Sequence, residues 1–175
     1  MLRLTENFLG EVDEVKIIAR IKQHAVEQPN QSGSAQMLAE ELSSLPSLMQ
    51  KAIEDFSPGL FSAYAAQWRQ AYLKFYAHDE IGAEYIAILL EISANQIDFN
   101  NNELAEYYLD EVRAWVTVLY GENSFLAKYV ERYYAILDFL KGDYQSCIQR
   151  AEISLIAIHE MKQIDVPEEL NDIYI

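Results

Sequence analysis

The feature that most constrains this chain is the step Lys141-Gly142-Asp143-Tyr144, where two helical apolar patterns meet within residues 121–160, GENSFLAKYVERYYAILDFLKGDYQSCIQRAEISLIAIHE. Gly142 can take a positive φ and end the first helix, and Asp143 can cap the second. A stretch built this way folds back on itself as a helical hairpin. Hydrophobic residues make up 51% of the 175-residue chain and only six Gly and four Pro are present, so helices are favoured throughout and the fold class expected is all-α.

Upstream, Leu4, Phe8, Val12, Val15, Ile18, Ile21 and Ala25 recur at steps of three and four and draw one helical stripe over residues 1–28. Pro29 to Ser34 reads as a loop, a helix follows at about 34–43, and Ser43-Ser44-Leu45-Pro46 marks a break before a further helix at 47–55. Ser57 and Pro58 then form a cap and a first-turn proline for a helix to about Ala77, with Phe61, Tyr64, Trp68, Tyr72 and Phe75 on one face. Asp79 is the expected cap of a helix over 80–98 whose inner face carries Ile81, Tyr85, Ile88, Leu89 and Ile92. Asn100-Asn101-Asn102 is a turn, and the helix of about 103–120 should bury Leu104, Tyr108, Val112, Trp115 and Leu119. Pro167 ends any helix before it, leaving a partly ordered acidic tail, DVPEELNDIYI. Apart from Phe8 and Tyr174, the aromatic residues fall between positions 56 and 144. The organisation expected is an amino-terminal helical segment over 1–55, an aromatic-rich helical array over 56–164 and the tail over 165–175, together forming one globular unit.

The hairpin resembles a tetratricopeptide repeat, through Ala135, Gly142, Tyr144 and Cys147, followed by Ile148, Ser154 and Leu155. The spacing from Gly121 is similar to that of the longer repeats of roughly 42 residues found in kinesin light chains and related bacterial proteins. Residues 80–120 can be laid on it with Asn100 opposite Gly142, aligning Ser93 with Ala135 and Ala105 with Cys147. Matching Leu104 with Tyr144 and Trp115 with Leu155 instead shifts the register by two. Asp138 stands where the family usually has an aromatic residue, and Ala151 where it often has a large one. The resemblance implies antiparallel hairpins stacked as an array, whose first helices line a concave surface that holds a peptide or another protein. Tyr85, Ile88, Tyr129, Arg132 and Tyr133 are then the candidate partner-binding residues, and an uncapped array end is compatible with homo-oligomers.

Reactive chemistry finds little support in the residues. His24, His78 and His159 stand alone, no zinc or Glu-x-x-His spacing occurs, and no glycine-rich phosphate loop is present, so neither an enzyme nor a cofactor is expected. Glu80 with Glu84, or Glu106 with Asp110, could pair carboxylates at i, i+4, but acidic helices produce such pairs routinely on solvated faces. Cys147, the single cysteine, fits a small packed position better than a reactive one.

The formal net charge of −15 disfavours nucleic acid and anionic membranes as partners. Between Lys74 and Arg113 stand nine acids, Asp79, Glu80, Glu84, Glu91, Asp98, Glu103, Glu106, Asp110 and Glu111, and no Lys or Arg. Such a field, with Glu84 and Glu106 as its candidate contact residues, would attract something basic. No apolar run reaches the length of a membrane span and the first residues do not form an apolar signal core, so a cytoplasmic location is expected. Two functions follow as expectations: a non-enzymatic adaptor or chaperone-like module for a protein or peptide, or a small acidic inhibitor of the immunity-protein type that neutralises a basic partner.

Overall fold

The computed structural model describes residues 32–161, so the expected helix of residues 1–28 and the acidic tail lie outside the described residues. The chain is all-α, and its described part holds α1 (Ser32–Glu54), α2 (Pro58–Phe75), a short 3₁₀ turn (His78–Glu80), α3 (Ala83–Asp98), α4 (Asn102–Tyr120), α5 (Phe125–Lys141) and α6 (Tyr144–Met161). None of these helices is long and apolar enough to cross a membrane. Packing divides the chain into two compact units, Met1–Ile81 and Gly82–Ile175, so the boundary read from composition at residue 56 falls inside the first unit.

In the first unit α1 packs against α2. The expected break at Pro46 is absent, as is a loop at Ser32–Ser34, because α1 runs unbroken through both. Proline's fixed φ is already helical, and what it removes is one hydrogen bond to the carbonyl four residues back. The buried stripe Ala35, Ala39, Leu42, Leu45, Met49 and Ala52 passes straight through this point, and packing holds the helix across it. On α2, Phe61, Trp68, Tyr72 and Phe75 are buried as their spacing predicts, while Tyr64 is only partly so. Pro58 occupies the first turn, but Ser57 makes no side-chain cap; its hydroxyl donates to the Asp55 carbonyl at 3.3 Å.

In the second unit α3 packs on α4, α4 on α5 and α5 on α6. Gly82, not Asp79, precedes the first turn of α3, and Asp79 lies in the 3₁₀ turn, where the Glu80 carboxylate accepts the Ala77 N–H at 2.7 Å. The buried face of α4 is rotated from the expected one. Ala105, Tyr108, Leu109, Val112 and Val116 are inside, Leu104 and Leu119 are each 40% exposed, and Trp115 is partly buried. The reason is geometric, since α4 has a neighbour on each side and the small Ala105, fully buried, lets the helices approach.

Three turns join the hairpins in one way. After α1, Phe56 takes φ 47°; after α3, Asn100 takes φ 60°; after α5, Gly142 takes φ 79°. In each the left-handed residue and its successor donate back into the last helical turn: Phe56 to Ile53 and Ser57 to Ala52, Asn100 to Ile97 and Asn101 to Gln96, Gly142 to Phe139 and Asp143 to Asp138, at 2.8–3.0 Å. The matching of Asn100 with Gly142 therefore has a structural counterpart, and Phe56 adds a third point to the series.

Candidate functional site

The carboxy-terminal hairpin positions its side chains from that turn outward. Ser124 caps α5, accepting the Ala127 N–H at 3.2 Å, and Asp143 accepts the Ser146 N–H at 3.1 Å in the first turn of α6. A polar clasp then fixes α5 to both neighbours. The Tyr134 hydroxyl donates to Asp110 of α4 at 2.6 Å, its ring lies 3.8 Å from the Arg113 guanidinium and 5.0 Å from that of Arg150, and burial with the Asp110 hydrogen bond pushes the phenol up. Arg150 of α6 donates to Glu131 and, at 2.9 Å, to Asp138. Arg113 approaches Glu131 to 3.3 Å without hydrogen-bond geometry, an electrostatic contact only. Asp138, the departure from the repeat pattern, thus serves as an arginine partner.

On the other side of α5, between α5 and α6, lies an open groove of about 560 Å³. Arg132, Ala135, Ile136 and Phe139 line it from α5, and Cys147, Ala151, Ser154, Leu155 and Ile158 from α6. Its surface is almost wholly apolar. Counting from the left-handed turn residues, Cys147, Ala151, Ser154 and Ile158 occupy the same helical positions as Ala105, Leu109, Val112 and Val116 of α4 and Phe61, Ala65, Trp68 and Tyr72 of α2. Those eight side chains are all buried, whereas of the α6 set only Ser154 is. Apolar rims continue outward, with Phe139 57%, Leu155 64%, Ile148 59% and Tyr144 62% exposed. Cys147 accordingly lines a groove instead of filling a core.

The sequence-predicted candidates distribute unevenly about this groove. Tyr85, Ile88, Tyr129 and Tyr133 are at most 4% exposed and act in packing: the Tyr85 hydroxyl donates to Glu111 at 2.6 Å and its ring meets Trp115 edge-on at 6.3 Å. Arg132 alone among them reaches the groove. Its Nη1 donates to the Tyr129 hydroxyl at 2.7 Å and its guanidinium lies over Tyr129 and Tyr133, at 5.1 and 5.4 Å. Burial, the adjoining Tyr129 and the nearby Glu91 push the Tyr133 phenol up against the opposing pull of Arg132. Glu106 pairs with Lys141 at 2.7 Å, and Glu84 is partly buried in the first turn of α3. Glu106 and Asp110 turn to separate partners, and Glu80 and Glu84 lie in different elements, so neither i, i+4 pair forms a carboxylate couple.

Among the described residues no three His, Cys, Asp or Glu side chains are grouped to hold a metal ion. The groove residues Ile136, Phe139 and Ile158 were not singled out by sequence reasoning, and Ala151 was noted only as a departure from the repeat pattern. The signal that finds them is the shared spacing of helical positions from the left-handed turns at Asn100 and Gly142. Compared with models of known protein families, with curated proteins and with solved structures, the chain matches none.

Proposed function

We propose that this protein is a non-enzymatic helical-hairpin module of the tetratricopeptide-like kind that holds an amphipathic helix of a partner protein in the groove between α5 and α6. The observation that carries this reading is positional: the helical face that is buried in both earlier hairpins stands open in the last described one, as an apolar trough lined at one side by Arg132. A helix with apolar residues at i, i+3, i+4 and i+7 offers a complementary stripe. The acidic-inhibitor reading draws on the run of nine acids, but Glu106, Asp110 and Glu111 bond within the chain and Glu91 is partly buried, which leaves a weaker outward field. The charge of −15 keeps nucleic acid and anionic membranes as poor partners in either case.

Selection of displayed peptides on the immobilised protein tests the reading. Enriched peptides should share that helical spacing, and Ala151→Glu, which sets a charge in the trough, should abolish their capture while the fold persists. Selection that ignores Ala151→Glu would count against the groove. Enrichment of basic peptides without helical spacing, with binding that collapses as salt rises, would favour the acidic inhibitor.

A further inference from the structure

The groove has a candidate occupant within the same chain. From α4 the chain passes through the four-residue link 121–124 into α5, which packs back on α4. From α6, which ends at Met161, it continues through Lys162–Val166 to Pro167-Glu168-Glu169. A proline followed by two acids is a helix-start signature. Leu170, Ile173 and Tyr174 then follow at i, i+3 and i+4, each 44 positions after Leu126, Tyr129 and Val130, three buried residues of α5. The left-handed turns themselves are 44 residues apart from Phe56 to Asn100 and 42 apart from Asn100 to Gly142, so the tail continues the series at a similar interval. A helix over residues 167–175 spans about 13 Å and the trough from Cys147 to Ile158 about 16 Å, at the standard rise. Charge agrees as well. Because α5 and α6 run antiparallel from Gly142, Arg132 stands level with the middle of the trough and is the α5 lining residue nearest the Ile158 end, from which Glu168 and Glu169 would arrive.

Resting on the reading of the groove as a helix acceptor, we propose that residues 167–175 dock in it as an internal ligand, with Leu170, Ile173 and Tyr174 in the trough, so that a partner helix binds by displacing them. The tail then regulates the site by competition, lowering a partner's apparent affinity by the fraction of molecules in which the trough is free.

Cys147 is the single cysteine and lines the groove, so its maleimide labelling reports occupancy directly. Three samples suffice: the full chain, the full chain carrying Leu170→Glu and Ile173→Glu, and that variant with a free peptide of residues 165–175. A tail docked nine-tenths of the time slows labelling about tenfold relative to the variant, and the peptide restores protection in a dose-dependent way. Equal rates in the full chain and the variant, or no protection by the peptide, overturn the proposal. A full-chain rate that falls as protein concentration rises assigns the groove to a second copy and overturns it too. Should the tail fail these tests while displayed peptides still require an unaltered Ala151, only the internal ligand is lost; peptides indifferent to Ala151→Glu would remove the groove reading itself.

Discussion

The Glu91 carboxyl is sealed on one oxygen, with Oε2 given no hydrogen-bond partner among the described residues, and desolvation raises its pKa from 4.5 to about 7. A raised folded value means that the unfolded chain loses this proton first. Stability from the neutral form is therefore full below about pH 4.5 and is lost as pH rises through 7. Glu91→Gln should gain roughly 2–3 kcal/mol at pH 8 and nothing at pH 4, measured by urea melts at both values. A gain that is the same at both would exclude the titration. Backbone geometry sets a second expectation. Phe56 holds φ 47° while 74% exposed, so Phe56→Gly should stabilise by about 0.5–1 kcal/mol, whereas Gly142→Val should cost about 1–2 kcal/mol. No atom lies within 4 Å of a Cβ at Gly142, so that cost is one of backbone conformation and not of collision. Gly142 was legible in the sequence because glycine advertises a left-handed turn. Phe56 was not, since nothing in an aromatic residue does, and Glu91 was counted among the nine acids of an outward field.

Helices were read well where their apolar stripe was the only guide and less well where one residue was allowed to overrule it. Pro46 suggested a break, yet the stripe from Ala35 to Ala52 was already visible across it. In α4 the large side chains Trp115 and Leu119 drew the expected face towards themselves, while the helix buries the smaller set from Ala105 to Val116 because neighbours press on two sides. This sets the two tryptophans apart. Trp68 is 1% exposed and Trp68→Ala should cost about 3–5 kcal/mol, while Trp115→Ala, at a partly buried site, should cost about 1–2 kcal/mol. Thermal melts of the two variants, with emission spectra to show which indole is shielded, provide the check. A larger loss at Trp115 would contradict the observed rotation of α4.

At the scale of the molecule, 28 acids against 13 bases leave a surplus that internal pairs such as Glu106–Lys141 and Glu131–Arg150 do not cancel. Added salt should raise the melting temperature between low and physiological ionic strength, as the screening length shortens to about 8 Å. A melting temperature indifferent to salt would mean that self-repulsion is already relieved. The all-α class and the helical hairpins could be read from periodicity, but the open groove could not, because exposure of a face depends on what the rest of the chain places over it. One more property follows from the order of packing, and it concerns time. Every substantial helix pairing among the described residues joins helices adjacent in the chain: α1 with α2, α3 with α4, α4 with α5, α5 with α6. Among the described residues distant helices need not find one another, so little loop entropy opposes the search and these hairpins belong with fast-folding helical topologies, on the microsecond-to-millisecond scale. During synthesis α2, α4, α5 and α6 can each settle on the helix before it as it emerges, and among the described residues the open face belongs to the last of them.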